Sequence, residues 1–191
     1  TTAQVVALTS TQAAAVTTAQ IVRLSTDQLS AMETTDLQAL STSQVDALTT
    51  VQLAGVSTSQ VAALTTSQIR FVDQFSTDQL VAITSVQAPV LTTTQVAALT
   101  SAQLEVIETA DLSSMTSTQI RSITTTAVSG LTTAQVVALT STQAAAVTTT
   151  QIARFSTDYI VSLGSTQLAA LTTAQVASLD SNQIGAIETR D

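Results

Sequence analysis

The phrase ALTTSQI at residues 63–69 decides the fold, because the same phrase recurs along the whole chain. It returns as VLTTTQV at residues 90–96 and as GLTTAQV at residues 130–136. Each copy holds an apolar residue, two hydroxyl residues, one variable residue, a glutamine and a second apolar residue. This recurrence predicts a protein that is built from one short repeated unit.

The repeat is eight residues long. Counted from Thr1, nine octads fill residues 1–72, three additional residues follow at Asp73–Phe75, and fourteen further octads fill residues 76–187. We number the octads 1 to 23 and the positions within each octad one to eight. Position one is Thr or Ser in most octads, and positions five and eight are apolar in all of them. Position four is Gln except at Asp36, Asp111, Ala127 and Tyr159.

Each octad carries a signal that begins a helix. Ser or Thr followed three residues later by Gln is a capping box, in which the hydroxyl and the Gln side chain each accept a backbone N–H of the other residue. The apolar residues before the cap and after the Gln form a hydrophobic staple. A continuous helix would rotate the apolar positions by about 80° per octad. We therefore expect one separate helix of about six residues in each octad.

Helices this short are unstable alone and persist only when neighbours stack and share a core. The predicted fold class is therefore all-α, a solenoid or superhelix of very short helices with one helix per octad. A β-solenoid is the alternative, because Thr, Val and Ile favour strands. Tight β-coils need Gly, Asn or Asp at fixed turn positions, whereas the four glycines here fall at three different octad positions.

We predict a single octapeptide-repeat domain over residues 1–191, with a three-residue phase insertion at residues 73–75. Pro89 removes a backbone donor inside octad 11, so a single turn or a 3₁₀ helix is expected there. Residues 1–16 recur unchanged at residues 132–147, which indicates that the array grew by duplication. Because the repeat begins with the first residue, we expect the chain to be a segment of a longer array.

The composition argues against several classes of function. The chain has five Arg, no Lys and a net charge of −8, whereas nucleic-acid binding requires clustered cations. It has no His and no Cys, so the usual catalytic bases and thiolate ligands are missing. Hydroxyl pairs interrupt each hydrophobic stretch, and no membrane-spanning segment is expected. We predict that the protein is not an enzyme and has no catalytic or cofactor-binding residue.

Three acidic pairs replace the usual hydroxyl and Gln of an octad. They are Glu33 with Asp36, Glu108 with Asp111, and Glu188 with Asp191. Carboxylates in the first turn of a helix are stabilised by the helix dipole and can cap the helix. This reading is favoured, and no metal-ligating residue is predicted. Calcium held by these acidic pairs is the alternative, because carboxylates are hard oxygen ligands.

Two resemblances bear on function. LTTAQVVAL at residues 131–139 resembles the opening of the DNA-reading repeats of TAL effectors, which implies a helix start. The period of over thirty residues and the basic surface of that family are not found here, so DNA reading is not expected. In composition and tandem arrangement the whole chain is similar to the repetitive regions of large bacterial secreted and cell-surface proteins, including adhesins. That similarity implies an extracellular or cell-surface location.

The sequence therefore predicts a structural, non-catalytic stalk or spacer in a large extracellular bacterial protein. The alternative is a binding module whose exposed Thr and Ser face contacts polysaccharide or ice. The expected partners are the neighbouring repeats of the same chain, with cell-surface polysaccharide in the alternative. Nucleic acid and membrane insertion are not expected. Apolar positions at the open ends of the array also predict end-to-end self-association.

Overall fold

The structure is a computed structural model that describes residues 1–69 and 71–188. In this part of the chain the secondary structure consists of short helices, and it contains no strand. The predicted all-α repeat fold is confirmed, and the β-solenoid alternative is wrong. The physical reason is that position one caps a helix in most octads, which leaves no run of residues for a strand.

The helices are four to eight residues long. The first nine are α1 Thr2–Val6, α2 Ser10–Ala15, α3 Thr18–Ile21, α4 Thr26–Ser30, α5 Thr34–Ala39, α6 Thr42–Asp46, α7 Thr50–Ala54, α8 Thr58–Ala63 and α9 Thr77–Leu80. The next six are α10 Thr93–Ala98, α11 Ser101–Glu105, α12 Thr109–Ser114, α13 Ser117–Ser122, α14 Thr133–Ala138 and α15 Ser141–Ala146. The last five are α16 Thr149–Ile152, α17 Thr157–Ser162, α18 Ser165–Ala170, α19 Thr173–Ala177 and α20 Ser181–Glu188. Three 3₁₀ helices lie at Val72–Gln74, Ala88–Val90 and Ala127–Gly130.

The predicted capping box begins most of these helices. In octad 8 the backbone N–H of Gln60 donates to Ser57 Oγ at 3.2 Å, and the N–H of Ser57 donates to Gln60 Oε1 at 2.9 Å. In octad 23 an aspartate does the work of the hydroxyl, because Asp180 Oδ1 accepts from the N–H of Gln183 at 2.8 Å. These local bonds satisfy backbone donors that a helix N-terminus would otherwise leave unpaired.

Many of the helices end where position eight becomes extended. Leu40 has φ −64° and ψ 138°, and Ser41, the next N-cap, has φ −67° and ψ 158°. No residue with positive φ occurs in the part of the chain that the structure describes. Two extended residues therefore turn the chain from one helix to the next without a glycine. This explains why eight residues suffice for a helix and its connection.

The chain forms two compact units, residues 1–90 and residues 91–191. In each unit the core consists of the side chains at positions five and eight, such as Leu29 and Leu40 in the first unit and Leu112 and Leu139 in the second. Within each unit a helix packs against the helix three octads away, as α2 does on α5, α5 on α8, and α15 on α18. Neighbours in space are therefore not neighbours in sequence.

Three octads depart from the α-helical pattern. Octad 9 forms a turn at residues 66–68 and has no α-helix among its described residues. Octad 11 contains Pro89 and forms a 3₁₀ helix at Ala88–Val90, as predicted. Octad 16 has Ala127 in place of Gln and forms the 3₁₀ helix Ala127–Gly130, which packs against α11. A Cβ atom added to Gly130 would lie 2.4 Å from the carbonyl oxygen of Ser101 in α11. Gly130 is therefore required for this close approach of two backbones.

We expect Gly130→Ala to lower the free energy of unfolding by about 2 kcal/mol, because the added methyl group must push two backbones apart. Gly164→Ser is the matched control. Gly164 begins α18, and the nearest atom to an added Cβ is Gln167 Oε1 at 3.6 Å. The new hydroxyl could cap α18, so this variant should gain a few tenths of a kcal/mol. Urea denaturation of both variants measures the difference, and equal stabilities would contradict this account of Gly130.

Candidate functional site

The Gln side chain at position four makes contacts beyond its own octad. Gln60 Oε1 accepts from the cap of its helix, while Gln60 Nε2 donates to the carbonyl oxygens of Leu29 at 2.9 Å and Met32 at 2.8 Å. These two residues occupy positions five and eight of octad 4, four octads earlier. Only 2% of Gln60 is exposed. One buried amide thus holds the start of a helix and joins that helix to the previous turn.

The same contacts recur in both units, and we call the set the glutamine ladder. Most of its members reach back 28 and 31 residues. The members with described inter-turn bonds in the first unit are Gln44, Gln52, Gln60, Gln68, Gln79 and Gln87. Those in the second unit are Gln119, Gln135, Gln143, Gln151, Gln167, Gln175 and Gln183. Helices pack three octads apart and ladder bonds span four, so each turn within a unit takes between three and four octads.

The insertion at Asp73–Phe75 fills the same position in a turn as one whole octad. Gln79 Nε2 donates to the carbonyls of Leu53 at 2.8 Å and Val56 at 2.6 Å, which lie 26 and 23 residues earlier. Both separations are five residues shorter than those of Gln60, which are 31 and 28. An octad that is reduced to three residues accounts for the difference of five. The 3₁₀ helix Val72–Gln74 takes the place of its helix and packs against α7.

Sequence reasoning predicted the capping role of the Gln and missed the ladder. The residue type at position four carried a signal for the ladder. Glu serves as well as Gln in a capping box, yet position four is never Glu in 23 octads. Only the amide has a donor group to offer to a buried carbonyl. The exclusive use of Gln therefore indicated a second hydrogen bond that a carboxylate could not make.

Tyr159 replaces Gln in octad 20 and keeps half of the role. Its hydroxyl donates to the carbonyl of Leu131, which lies 28 residues earlier, at the same separation as one ladder bond. Its ring also meets the ring of Phe155 edge to face, with centroids 5.6 Å apart. The Ser156 hydroxyl still accepts from the N–H of Tyr159 at 3.3 Å. A phenol can therefore bridge two turns, although it cannot complete the capping box.

The acidic pairs do not form the predicted caps. Glu33 and Glu108 begin α5 and α12, but neither side chain makes a cap hydrogen bond. Their partners Asp36 and Asp111 are buried, with 2% and 4% of each residue exposed. Ser10 Oγ donates to Asp36 Oδ1 at 2.8 Å, whereas Asp36 Oδ2 has no hydrogen-bond partner among the described residues. The capping prediction for Glu33 and Glu108 is wrong, because neither side chain accepts a bond from its helix start. Asp36 and Asp111 occupy the ladder position, where a carboxylate has no N–H to donate to an earlier turn.

Among residues 1–69 and 71–188, no three or more His, Cys, Asp or Glu side chains come together as metal ligands. The pair Glu188 and Asp191 lies at or beyond the end of the described residues, so its arrangement is not assigned. No helix in the described part of the chain is long and apolar enough to span a membrane. Position three faces outward, and all 23 of its residues are exposed. Position three therefore supplies a variable, exposed residue in every octad.

We expect Gln60→Glu to lower the free energy of unfolding by roughly 3 kcal/mol or more. The glutamate keeps the acceptor that caps α8, but it places a buried charge beside the carbonyls of Leu29 and Met32 and leaves them without a donor. Gln12→Glu is the matched control. Gln12 caps its helix in the same way and is exposed. The control should cost less than about 0.5 kcal/mol, and equal losses in urea denaturation would contradict the ladder.

Asp111 should make stability depend on pH. Burial raises the pKa of the Asp111 carboxyl from 3.8 to about 6, and the charge of Glu108 adds to the increase. The folded chain therefore binds this proton more tightly than the unfolded chain, and the free energy of unfolding should rise as the pH falls from about 8 to about 5. The gain ends near the ordinary pKa, where the unfolded chain also binds the proton. Thermal denaturation across this range measures the effect, and Asp111→Asn should abolish it. An unchanged pH profile in that variant would contradict the assignment to Asp111.

The comparison with known proteins agrees with the octad repeat. A family model described as the ALTTAQ repeat matches residues 29–66, 104–141 and 157–189, which together make up more than half of the chain. The matched segments include the inner faces of octads that carry the glutamine ladder in both units. No curated protein and no solved structure matches the chain significantly.

Proposed function

This chain belongs to the ALTTAQ repeat family and is a structural tandem-repeat protein, and we propose that it serves as a stalk or spacer in a large extracellular bacterial protein. The proposal is supported most by the glutamine ladder. Most ladder octads are bonded in the same way to the octad four before them, so an added octad finds the same kind of contacts as the others. A stalk or spacer needs this property, because its function depends on its length. The role has no catalytic step.

The duplicated block at residues 132–147 and residues 1–16 supports the same role. Its two copies have identical sequences, and both begin with a capping box. A block that keeps its sequence at two places in the array is suited to lengthening by duplication. The low charge and lack of Cys agree with the extracellular location that we propose, as does the compositional similarity to secreted bacterial repeat regions.

A length series tests the spacer role. One or two further copies of residues 132–147 are inserted after residue 147, and the radius of gyration is measured by X-ray scattering at low concentration. A spacer should exceed about 16 Å, the value for a compact domain of this length, and should grow by a constant increment per block. The matched control is a block of the same composition in scrambled order, which should add no helical signal in circular dichroism. Growth that follows a compact globule would overturn the spacer role.

A surface groove favours the second candidate, a polysaccharide-binding module. The groove lies in the first unit, has a volume of about 390 Å³, and is lined by Gln38, Thr65, Thr66, Thr84 and Val86, among others. Hydroxyl and amide groups next to an apolar side chain suit the mixed surface of a sugar. A glycan array separates the candidates, because a spacer should bind none of the printed sugars. An ice-recrystallisation assay tests the corresponding ice-binding alternative.

A further inference from the structure

We propose that a calcium ion binds at octad 5, between the buried Asp36 carboxylate and the backbone carbonyls of octad 1 that a Gln amide would otherwise hold. The site lies inside the first unit, between two stacked turns. The inference goes beyond the spacer role and does not rest on it.

One oxygen atom of Asp36 is buried and lacks a donor. Only 2% of Asp36 is exposed. Ser10 Oγ donates to its Oδ1 at 2.8 Å, whereas Oδ2 has no hydrogen-bond partner among the described residues. A buried carboxylate oxygen without a donor is strongly destabilising, because it has lost its water and gained no partner. A positive group next to Oδ2 would remove this penalty.

The register of the glutamine ladder places backbone carbonyls in front of Asp36. The Gln side chains at position four of octads 6 to 9 each donate to carbonyls 31 and 28 residues earlier. The equivalent residues for Asp36 are Val5 and Leu8 of octad 1. Neither carbonyl accepts a side-chain hydrogen bond in the described part of the chain. The bond from Ser10 supports this placement, because Ser10 lies two residues after Leu8.

The length of the Asp side chain leaves room for a metal ion. Asp is one methylene shorter than Gln, so its oxygen lies about 1.5 Å farther from these carbonyls than a Gln nitrogen would. A ladder bond of 2.8 Å then becomes a gap of about 4 Å between two oxygen atoms. Calcium binds each oxygen at about 2.3–2.6 Å and fits between them. A proton cannot bridge this gap, because hydrogen-bonded oxygens lie within about 3 Å.

The charges around Asp36 favour a divalent cation. Helix α5 packs against α2 and α8, and octads 1, 2 and 8 contain no charged side chain. A Glu at position one occurs only where position four is Asp. Glu33 of this pair is exposed and does not cap its helix. A second carboxylate would repel a bare Asp36, but it helps to neutralise a divalent ion.

The oxygen atoms at this place suit calcium better than magnesium. Calcium accepts six to eight oxygen ligands in a flexible arrangement, and these include carboxylates, backbone carbonyls and water. Asp36, Glu33 and the carbonyls of Val5 and Leu8 supply such oxygens, and water can complete the shell. Magnesium requires a regular octahedron and retains several waters. A site that uses backbone carbonyls needs no third acid.

Substitutions at Asp36 in the 191-residue chain test the site. Each sample also carries Asp111→Asn, because Asp111 has a buried oxygen without a partner as well, and this background isolates Asp36. Asp36→Asn removes the charge. Asp36→Gln introduces the usual residue of position four, whose amide can donate to the carbonyls of octad 1 directly. Asp27→Asn, which removes one charge from exposed position three of octad 4, is the matched control. Circular dichroism verifies that each sample is helical.

Thermal denaturation is measured in about 10 mM calcium chloride and in EDTA, since isolated sites of this kind bind calcium at about 0.1–1 mM. Calcium should raise the Tm of the background chain and of the Asp27→Asn control by about 5 °C or more, because the ion binds only the folded state. The Asp36→Asn variant should lose this shift. The Asp36→Gln variant should melt above the background chain in EDTA and should not respond to calcium. Calorimetric titration should show the loss of one bound calcium ion in both Asp36 variants.

Three outcomes would overturn the proposal: an equal Tm of the background chain in calcium and in EDTA, a shift that persists in Asp36→Asn, or loss of the shift in the Asp27→Asn control. An equal rise in magnesium chloride would also overturn it, because the site would then not be selective for calcium. A Tm that changes with pH but not with calcium would assign the buried oxygen to a proton and reject the metal.

Discussion

The structure depends on the two opposite ends of one primary amide. At position four of an octad, the oxygen of the Gln side chain accepts from the N-cap of its own helix, and the nitrogen donates to carbonyls four octads earlier. The first contact begins a helix that is too short to be stable alone, and the second attaches that helix to an existing turn. A carboxylate can make only the first contact, and the Tyr159 hydroxyl makes only the second. Gln is therefore the residue that couples local structure to packing, and the apolar positions five and eight supply the burial that accompanies it.

Much of the fold was predictable because the signals are local. The hydroxyl at position one and the Gln three residues later predict the cap of α8 from octad 8 alone, and Pro89 predicts the 3₁₀ helix in octad 11. The ladder was not predictable in the same way, since the partners of Gln60 lie 28 and 31 residues away. That separation depends on how many octads make one turn, which the pattern within an octad does not contain. The acidic pairs were misread for the same reason. Asp36 and Asp111 lie in the first turn of a helix as expected, but the inter-turn geometry also places them in the interior.

The insertion at Asp73–Phe75 shows which features of an octad are essential for phase. It lacks the hydroxyl cap and most of the eight residues, yet the bonds of Gln79 and Gln87 resume with the same acceptor positions on the far side. A 3₁₀ turn and the buried ring of Phe75 are enough to occupy the place of one helix. The array therefore tolerates an octad with fewer residues, provided that a short turn still fills the position of that octad.

The reach of the ladder also sets an order for the growth of the chain on a ribosome. Gln60 bonds to carbonyls 28 and 31 residues earlier, so an octad that emerges before a folded turn exists has only its local cap, which cannot maintain a helix of this length. Every later octad arrives next to a folded template and gains its bonds at once, at a short and constant sequence separation. The first turn is thus the only one that must form without a folded template, and later octads add to it as subunits add to a growing filament. A chain of this kind folds while it is synthesised. The time that it needs to complete folding does not increase with the number of octads.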